Sequence, residues 1–317
     1  MKAAVVSAFD APPRYADVPD PVASGADEMV VDVLAAGLHP RVRSQANGSH
    51  YTSTGALPLV PGVDGVGRGP DGVARYFILP ETALGAMAER TVVDVRRSVA
   101  LPDGTDPVAV AAAMNPAMSS WVALRRRVSF AAGQSVLVLG ATGNAGRMAV
   151  QVARLLGAER VIAAGRDEGR LAALPALGAT GTVRLDGDAD ASAGRIGEAA
   201  SDVDVVLDYL WGAPAAAAMA ALVTRRPDRG RPLAWIEIGS VAGPTAAIPS
   251  AALRAARLRI VGSGQGSVGA GEIRDELPAL AAEITKGTFA VDARPAPLAE
   301  VESAWAEPAA QRIVLVP

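Results

Sequence analysis

The chain has 317 residues, 50% of them hydrophobic, which suits two domains of ordinary size with ample core. With 30 basic and 33 acidic residues the formal net charge is −3, which excludes a basic surface for nucleic acid or a like-charged interaction tail. The absence of cysteine excludes disulfides and thiolate metal sites, and the two histidines, His39 and His50, stand apart in a loop-like stretch without helical spacing, so no metal is expected.

The N-terminus carries one lysine, then aspartate and prolines, and lacks the apolar run of a secretory signal. The alanine-rich runs at 107–114 and 213–222 read as too short to cross a membrane, so a cytoplasmic location is expected. Lys2–Val6, Glu28–Ala36 and Thr91–Val95 are short β-rich runs broken by Gly and Pro, which predict an irregular, mostly antiparallel domain. Between them, Gly37–Gly72 is rich in Gly, Pro, Ser and Thr and reads as a long functional loop.

After about residue 105 the pattern changes. Asp106–Met114 is apolar, and Ser119–Arg127 continues as a helix. Ser135–Leu139 is a continuous apolar run, the signature of a strand covered on both faces. Asn144–Leu156 has helical spacing, Val161–Ala164 is a second buried strand, Asp167–Leu174 is helical, and Gly181–Arg184 is a third strand. Val203–Leu207 and Ala234–Ile238 follow as strands, separated by the helix-prone Ala213–Val223. Strands alternating with helices imply βαβ units, an α/β fold with a doubly wound parallel sheet. Beyond about residue 262 the alternation ends. Glu272–Lys286 reads as an amphipathic helix, Asp292–Val301 as irregular and Ile313–Val316 as a terminal strand. The tail looks like the first domain resumed, which predicts segments 1–112, 113–255 and 256–317, the middle one an insertion.

Leu139-Gly140-Ala141-Thr142-Gly143-Asn144-Ala145-Gly146 follows a buried strand and opens a helix, the context of the dinucleotide fingerprint G-x-G-x-x-G. Ala141 stands at its first position, with Gly143 and Gly146 at the second and third. Gly143 lets backbone approach a pyrophosphate, Gly146 lets the helix pack closely, and the phosphates meet the N–H groups of Thr142 to Gly146 at the positive helix end. The end of the second strand selects the nucleotide. An NAD site carries an acid there, about 20 residues on. Here Gly165 stands at that position and Arg166 follows, with Arg170 near, an arrangement that favours the 2′-phosphate of NADPH. Arg184 reads as a surface side chain. Asp167 is the competing acid, read instead as the N-cap of the next helix.

With these motifs the chain resembles the zinc-free quinone oxidoreductase and enoyl reductase branch of the medium-chain dehydrogenase/reductase superfamily over nearly its whole length. Leu59–Gly65, Asn115–Trp121, Ile238-Gly239-Ser240, Pro297–Val301 and Arg312–Pro317 resemble that family's segments in order and spacing. The resemblance implies a GroES-like mostly-β catalytic domain with an inserted Rossmann domain. It implies that Ser119, where the family has a threonine, faces the nicotinamide, and that Gly239 and Ser240 border the cofactor. It also points at Tyr51, placed as the enoyl reductase branch places a tyrosine, as a proton donor; packing over the cleft is the competing role. The chain departs from the family with His39-Pro40 for Asn-Pro and Leu185 for the adenine-side tyrosine. His39 reads as a cleft or core residue, His50 as an exposed loop histidine or an acid, and Asp64 as structural, bonding local backbone in a glycine turn.

The implied activity is NADPH-dependent hydride transfer to a quinone or to a C=C bond conjugated with a carbonyl, a small-molecule substrate, with a homodimer as a family-level expectation. The alternative is a nucleotide-binding structural or regulatory protein with little turnover. Against an RNA-binding role, Arg125-Arg126-Arg127 is the one tight basic run and reads as a solvated helix end.

Overall fold

The computed structural model describes residues 1–50, 52–53, 55–79, 82–308 and 311–317. In chain order the elements are β1 (Lys2–Val5), β2 (Arg14–Asp17), β3 (Glu28–Gly37), α1 (Pro40–Ala46), β4 (Asp64–Arg68), β5 (Ala74–Ile78), β6 (Arg90–Asp94), β7 (Ser98–Ala100) and α2 (Pro107–Val122). There follow β8 (Ser135–Leu139), α3 (Asn144–Leu155), β9 (Arg160–Gly165), α4 (Glu168–Ala173), β10 (Gly181–Arg184), α5 (Ala189–Ala200), β11 (Val205–Asp208), α6 (Gly212–Arg225), β12 (Leu233–Glu237), α7 (Ser250–Ala255) and β13 (Leu258–Gly262). The chain ends with α8 (Ala270–Thr285), β14 (Ala293–Pro297), α9 (Val301–Ala306) and β15 (Arg312–Val316).

The chain divides into two units, Met1–Asn115 with Arg274–Pro317, and Pro116–Ile273. In the first, one sheet runs β14-β15-β3-β4-β5-β7. β3 changes partner along its length: Glu28–Asp32 pairs with β6, Asp32–Ala35 with β4, and Ala36 and Gly37 with β15. All these pairings are antiparallel except β14 with β15. Val31, Val33, Phe77, Met87 and Leu315 fill the core beneath them. The expected loop over 37–72 therefore holds a helix and a strand, and the stretch expected to be irregular after Asp292 holds β14.

The second unit is a single parallel sheet in the order β10-β9-β8-β11-β12-β13. Renumbered within the unit, that is 3-2-1-4-5-6, the doubly wound order in which the progression of strands reverses beside the first strand. Every residue of β8 and β11 is buried, which is why those segments are continuous apolar runs rather than alternating ones. β13 corrects the boundary expected at 255/256. It pairs along its whole length with β12 and so belongs to the parallel sheet.

The run from residue 107 is longer than its apolar start suggests. It continues through Pro116 to Val122 and on through a π-helical turn, Ala123–Arg127. Pro107–Arg127 is, by length and composition, long and apolar enough to cross a membrane, whereas the expectation rested on the run 107–114 alone; 67% of its apolar window is buried inside the protein, as in a core helix.

Candidate nucleotide site

The turn after β8 is built on glycine stereochemistry. Gly140 takes φ +86, so the left-handed residue of the turn is Gly140 rather than the residue at the expected first position, Ala141. Ala141 is fully buried, and the N–H groups of both residues donate to Ala164 O, at 2.9 and 2.8 Å. These bonds tie the turn to β9. A Cβ on Gly146 would lie 2.3 Å from Gly140 O and 2.6 Å from Ala141 Cα, so the helix touches the turn here. A Cβ on Gly143 would meet only Gly140 O, at 3.5 Å. The surface over Gly143 is open. Gly143 is the N-cap of α3 and supplies no side-chain cap, which leaves the N–H groups of Asn144, Ala145 and Gly146 without partners inside the helix.

A cavity of about 480 Å³ lies at this turn, within the range of small-molecule sites. Gly140, Thr142 and Gly143 form one side. Gly165, Arg166, Asp167 and Arg170 form the next, and Leu185, Ile196, Leu210 and Val241 give it apolar walls. Ser119, Ala141, Asn144, Ala145, Gly146, Gly239 and Ser240 are outside this lining.

The end of β9 shows why an acid is absent. A Cβ on Gly165 would sit 2.5 Å from Thr142 Cγ2 and 2.8 Å from Thr142 Oγ1. A carboxylate-bearing side chain therefore has no room to start. Asp167 caps α4, as expected: its carboxylate accepts from Arg170 N at 2.9 Å. Arg170 donates to Thr142 O at 3.2 Å and lies 3.6 Å from the Asp167 carboxylate, so its guanidinium is held beside the glycine turn. Arg166 is exposed at the cavity rim. Arg184 pairs with Glu168 at 3.3 Å on the surface and is not in the lining. Asp186, across the cavity, is neutralised by Arg195 at 2.6 Å. The Ser192 hydroxyl first, and Arg195 with it, holds its carboxyl below the usual range.

The loop after β11 stands at the point where strand order reverses. Asp208 is fully buried and accepts from Leu210 N (2.8 Å), Trp211 N (2.9 Å) and Trp235 Nε1 (2.8 Å). Burial raises its carboxyl above the ordinary value, against those three bonds. They hold Trp211 at φ +52, a left-handed conformation that costs a bulky residue about 1–3 kcal/mol. Tyr209, between them, lies 2.8 Å from Ser119 Oγ. Gly239 N donates to Asp208 O at 3.2 Å and Ala242 N to Leu210 O at 2.8 Å, so the segment carrying Gly239 and the exposed Ser240 is strapped to this loop. Sequence reasoning missed Asp208 and Tyr209. Their signal is position alone, at the carboxyl end of the fourth strand of a doubly wound sheet.

The histidines and Asp64 lie in the first unit. His39 Nε2 and Asp64 Oδ1 are 2.8 Å apart, and Tyr76 donates to Asp64 Oδ2 at 2.8 Å. Asp64 opens β4 and bonds distant side chains, not the local backbone expected of a turn residue. Burial pushes the His39 imidazole below its ordinary value, with Asp64 opposing, and pushes the Tyr76 phenol well up. His50 is half-buried, lies 2.9 Å from Thr52 Oγ1, and is lowered to about 4 by burial first and Arg41 second. At pH 7 its ring is a neutral imidazole, not the imidazolium that a general acid needs. Arg127, expected in a solvated run, donates to Gly262 O at 2.7 Å and Ser267 O at 2.9 Å. Tyr51, the expected proton donor, lies outside the described residues.

Strand order and glycine turn together define the class: a Rossmann-type nucleotide unit set into the chain of a mostly-β domain. Residues 145–285 match the family model described as zinc-binding dehydrogenase. A probable NADPH-dependent quinone reductase of Emericella nidulans is 32% identical over 100% of both chains. A 2-methylene-furan-3-one reductase of Solanum lycopersicum is 30% identical over 48% of this chain and 43% of its own. The quinone oxidoreductase of Thermus thermophilus, solved also in complex with NADPH, superposes with a TM-score of 0.83 at 26% identity over 100% of both chains. The chain belongs to the quinone oxidoreductase-like branch of the medium-chain dehydrogenase/reductase family. The matched model's name carries zinc, and the donor set here does not fit one. The chain has no cysteine, both histidines are engaged as described, and no three His, Cys, Asp or Glu side chains are grouped for a metal among the described residues.

Proposed function

We propose that this protein is an NADPH-dependent oxidoreductase that passes hydride to a quinone, or to a C=C bond conjugated with a carbonyl, without a metal. The observation that carries the reading is the end of β9. Thr142 fills the place an NAD-type acid would take, Asp167 is committed to capping α4, and Arg166 and Arg170 are the cations of the lining. That environment suits a 2′-phosphate, which pairs with guanidinium and is repelled by a free carboxylate. The open surface over Gly143 and the unpaired N–H groups of Asn144, Ala145 and Gly146 suit a pyrophosphate.

Bound NADPH supplies the hydride, and the protein's part is to bind and orient. Leu185, Ile196 and Leu210 offer an apolar slot of the kind an adenine ring fills. The relatives' names support both acceptor classes, quinone and conjugated C=C, and Tyr51 is the proposed proton donor for the second. We further propose a homodimer in the cytoplasm. β13, an edge strand of the parallel sheet, offers backbone groups that a second copy can pair with, which supports the dimer, and sedimentation of the purified protein tests it.

The test of function is a binding and turnover comparison. NADPH should bind at least about tenfold tighter than NADH, and Arg170→Ala should remove most of that preference, since a charged hydrogen bond contributes about 1.5–3 kcal/mol. NADPH consumption should be stimulated by members of a panel of quinones and enones. Equal affinity for NADH, or tight NADPH binding with no turnover on any acceptor, overturns the reading and leaves a nucleotide-binding protein without enzymatic work.

A further inference from the structure

Two hydroxyls meet beside the crevice and take no part in the function proposed so far. Ser119 Oγ donates to Pro116 O at 2.7 Å and lies 2.8 Å from the Tyr209 hydroxyl. A serine hydroxyl carries one proton and two lone pairs. Its proton is committed to Pro116, so Tyr209 is the donor in the second bond. One lone pair of Ser119 remains. The serine is thereby set as an acceptor.

The surroundings of Tyr209 fix that arrangement. The three bonds to buried Asp208 hold the backbone that follows it, and the left-handed Trp211 shows how strongly that turn is constrained. The ring is 9% exposed. Burial lifts its phenol to about 12, so it stays protonated and a donor across the working pH range. The place is also specific. Leu210, the next residue, lines the cavity, and Gly239 packs against Tyr209 O. A dinucleotide whose adenosine half fills the cavity at β9 and β10 crosses the glycine turn and carries its other half toward the ends of β11 and β12, where these hydroxyls lie.

We propose that Tyr209 is a positioning residue that fixes Ser119 as the hydrogen-bond acceptor for the carboxamide NH₂ of the nicotinamide ring. This rests on the NADPH reading above. It goes beyond that reading in assigning a residue pair that selects the carboxamide. A ring carrying acetyl in place of carboxamide has no N–H to offer, and the free lone pair of Ser119 then goes without a partner.

The experiment measures dissociation constants of three ligands: NADP⁺, its 3-acetylpyridine analogue, and 2′-phospho-ADP-ribose, which lacks the ring. They are compared in the wild type and in Tyr209→Phe, Ser119→Ala and the double variant, each checked for an unchanged far-ultraviolet spectrum. The wild type should prefer NADP⁺ to the analogue, and Tyr209→Phe should shrink that preference by about 3- to 10-fold, the range of one neutral hydrogen bond. Ser119→Ala should do the same and the double variant no more, because the two act as one unit. Binding of 2′-phospho-ADP-ribose should stay within twofold throughout.

Two results overturn the proposal while leaving the cofactor reading intact. One is undiminished discrimination in Tyr209→Phe. The other is a loss of 2′-phospho-ADP-ribose binding parallel to that of NADP⁺, which marks a general structural role. If Tyr209→Phe does not fold, Ser119→Ala alone decides, by the same discrimination. A wild type that binds neither NADP⁺ nor 2′-phospho-ADP-ribose removes the cofactor reading and this inference with it.

Discussion

Gly143 and Gly146 lie three residues apart in one turn and answer to different forces. At Gly146 an added methyl would meet backbone at 2.3 and 2.6 Å, so the helix must shift; overpacking of this kind costs about 1–3 kcal/mol. At Gly143 it would meet one atom at ordinary contact distance and otherwise occupy the space proposed for the pyrophosphate. Gly146→Ala should therefore lower the melting temperature and weaken NADPH together. Gly143→Ala should weaken NADPH alone, and thermal unfolding beside an NADPH titration separates the two. His39 gives a pH prediction at the same scale. Its folded pKa is lowered, chiefly by burial, so below pH 6.5 the unfolded chain binds the proton more readily. Its stabilising effect is complete above that pH and is lost as pH falls toward the folded value, by at most about 1.4 kcal/mol per unit. His39→Gln, which keeps a donor toward Asp64, should flatten the fall in unfolding midpoint between pH 6.5 and 5; an unchanged slope places the loss elsewhere.

At the scale of elements, the cap of α4 separates the two roles open to Asp167. Removing an N-cap side chain costs about 1 kcal/mol, or about 2–4 °C in a unit of this size. Asp167→Ala should show that loss and keep its preference for NADPH. If Asp167 instead binds a ribose 2′-hydroxyl, the variant loses NADH affinity selectively. Five of the six strands of the parallel sheet were legible to within two residues, because burial on both faces demands continuous apolar runs such as Ser135–Leu139. β14 was not. Its sequence, Ala-Arg-Pro-Ala-Pro, carries two prolines, which argue against a strand except at an edge, and β14 is an edge. β13 was missed for a related reason, since an edge strand with partly exposed residues gives a weak pattern. α5 is rich in Ala but holds two glycines, each unfavourable by about 1 kcal/mol in a helix, while packing with α6 and its Asp188 cap sustains it. The same contrast divides the site. The glycine turn and the end of β9 are contiguous in sequence and could be read. The Ser119–Tyr209 bond joins residues 90 apart, and only the sheet order brings them together.

At the scale of the whole molecule, the two units have separate cores, and the tryptophans report on them unequally. Trp121, Trp211 and Trp235 belong to the unit of residues 116–273, and Trp305 to the other. Trp305 packs under Arg43, whose guanidinium lies 5.1 Å from the ring centroid. In a Trp305→Phe variant, tryptophan fluorescence therefore follows the nucleotide unit alone. A ligand that binds only the folded form adds about 2.7 kcal/mol at one hundred times its dissociation constant. For a urea dependence of about 3 kcal/mol per molar, that moves the midpoint up by about 0.9 M. NADP⁺ serves better than NADPH here, because the reduced ring absorbs where indole emits. Amide exchange adds the spatial half of the test: NADP⁺ should protect β8, β9 and β11 strongly. If the units open independently, β3, β4 and β5 should keep their rates. A fluorescence midpoint that ignores saturating NADP⁺ would mean that the ligand does not bind this unit, and no rearrangement of the residues around Gly143 could restore the site described above.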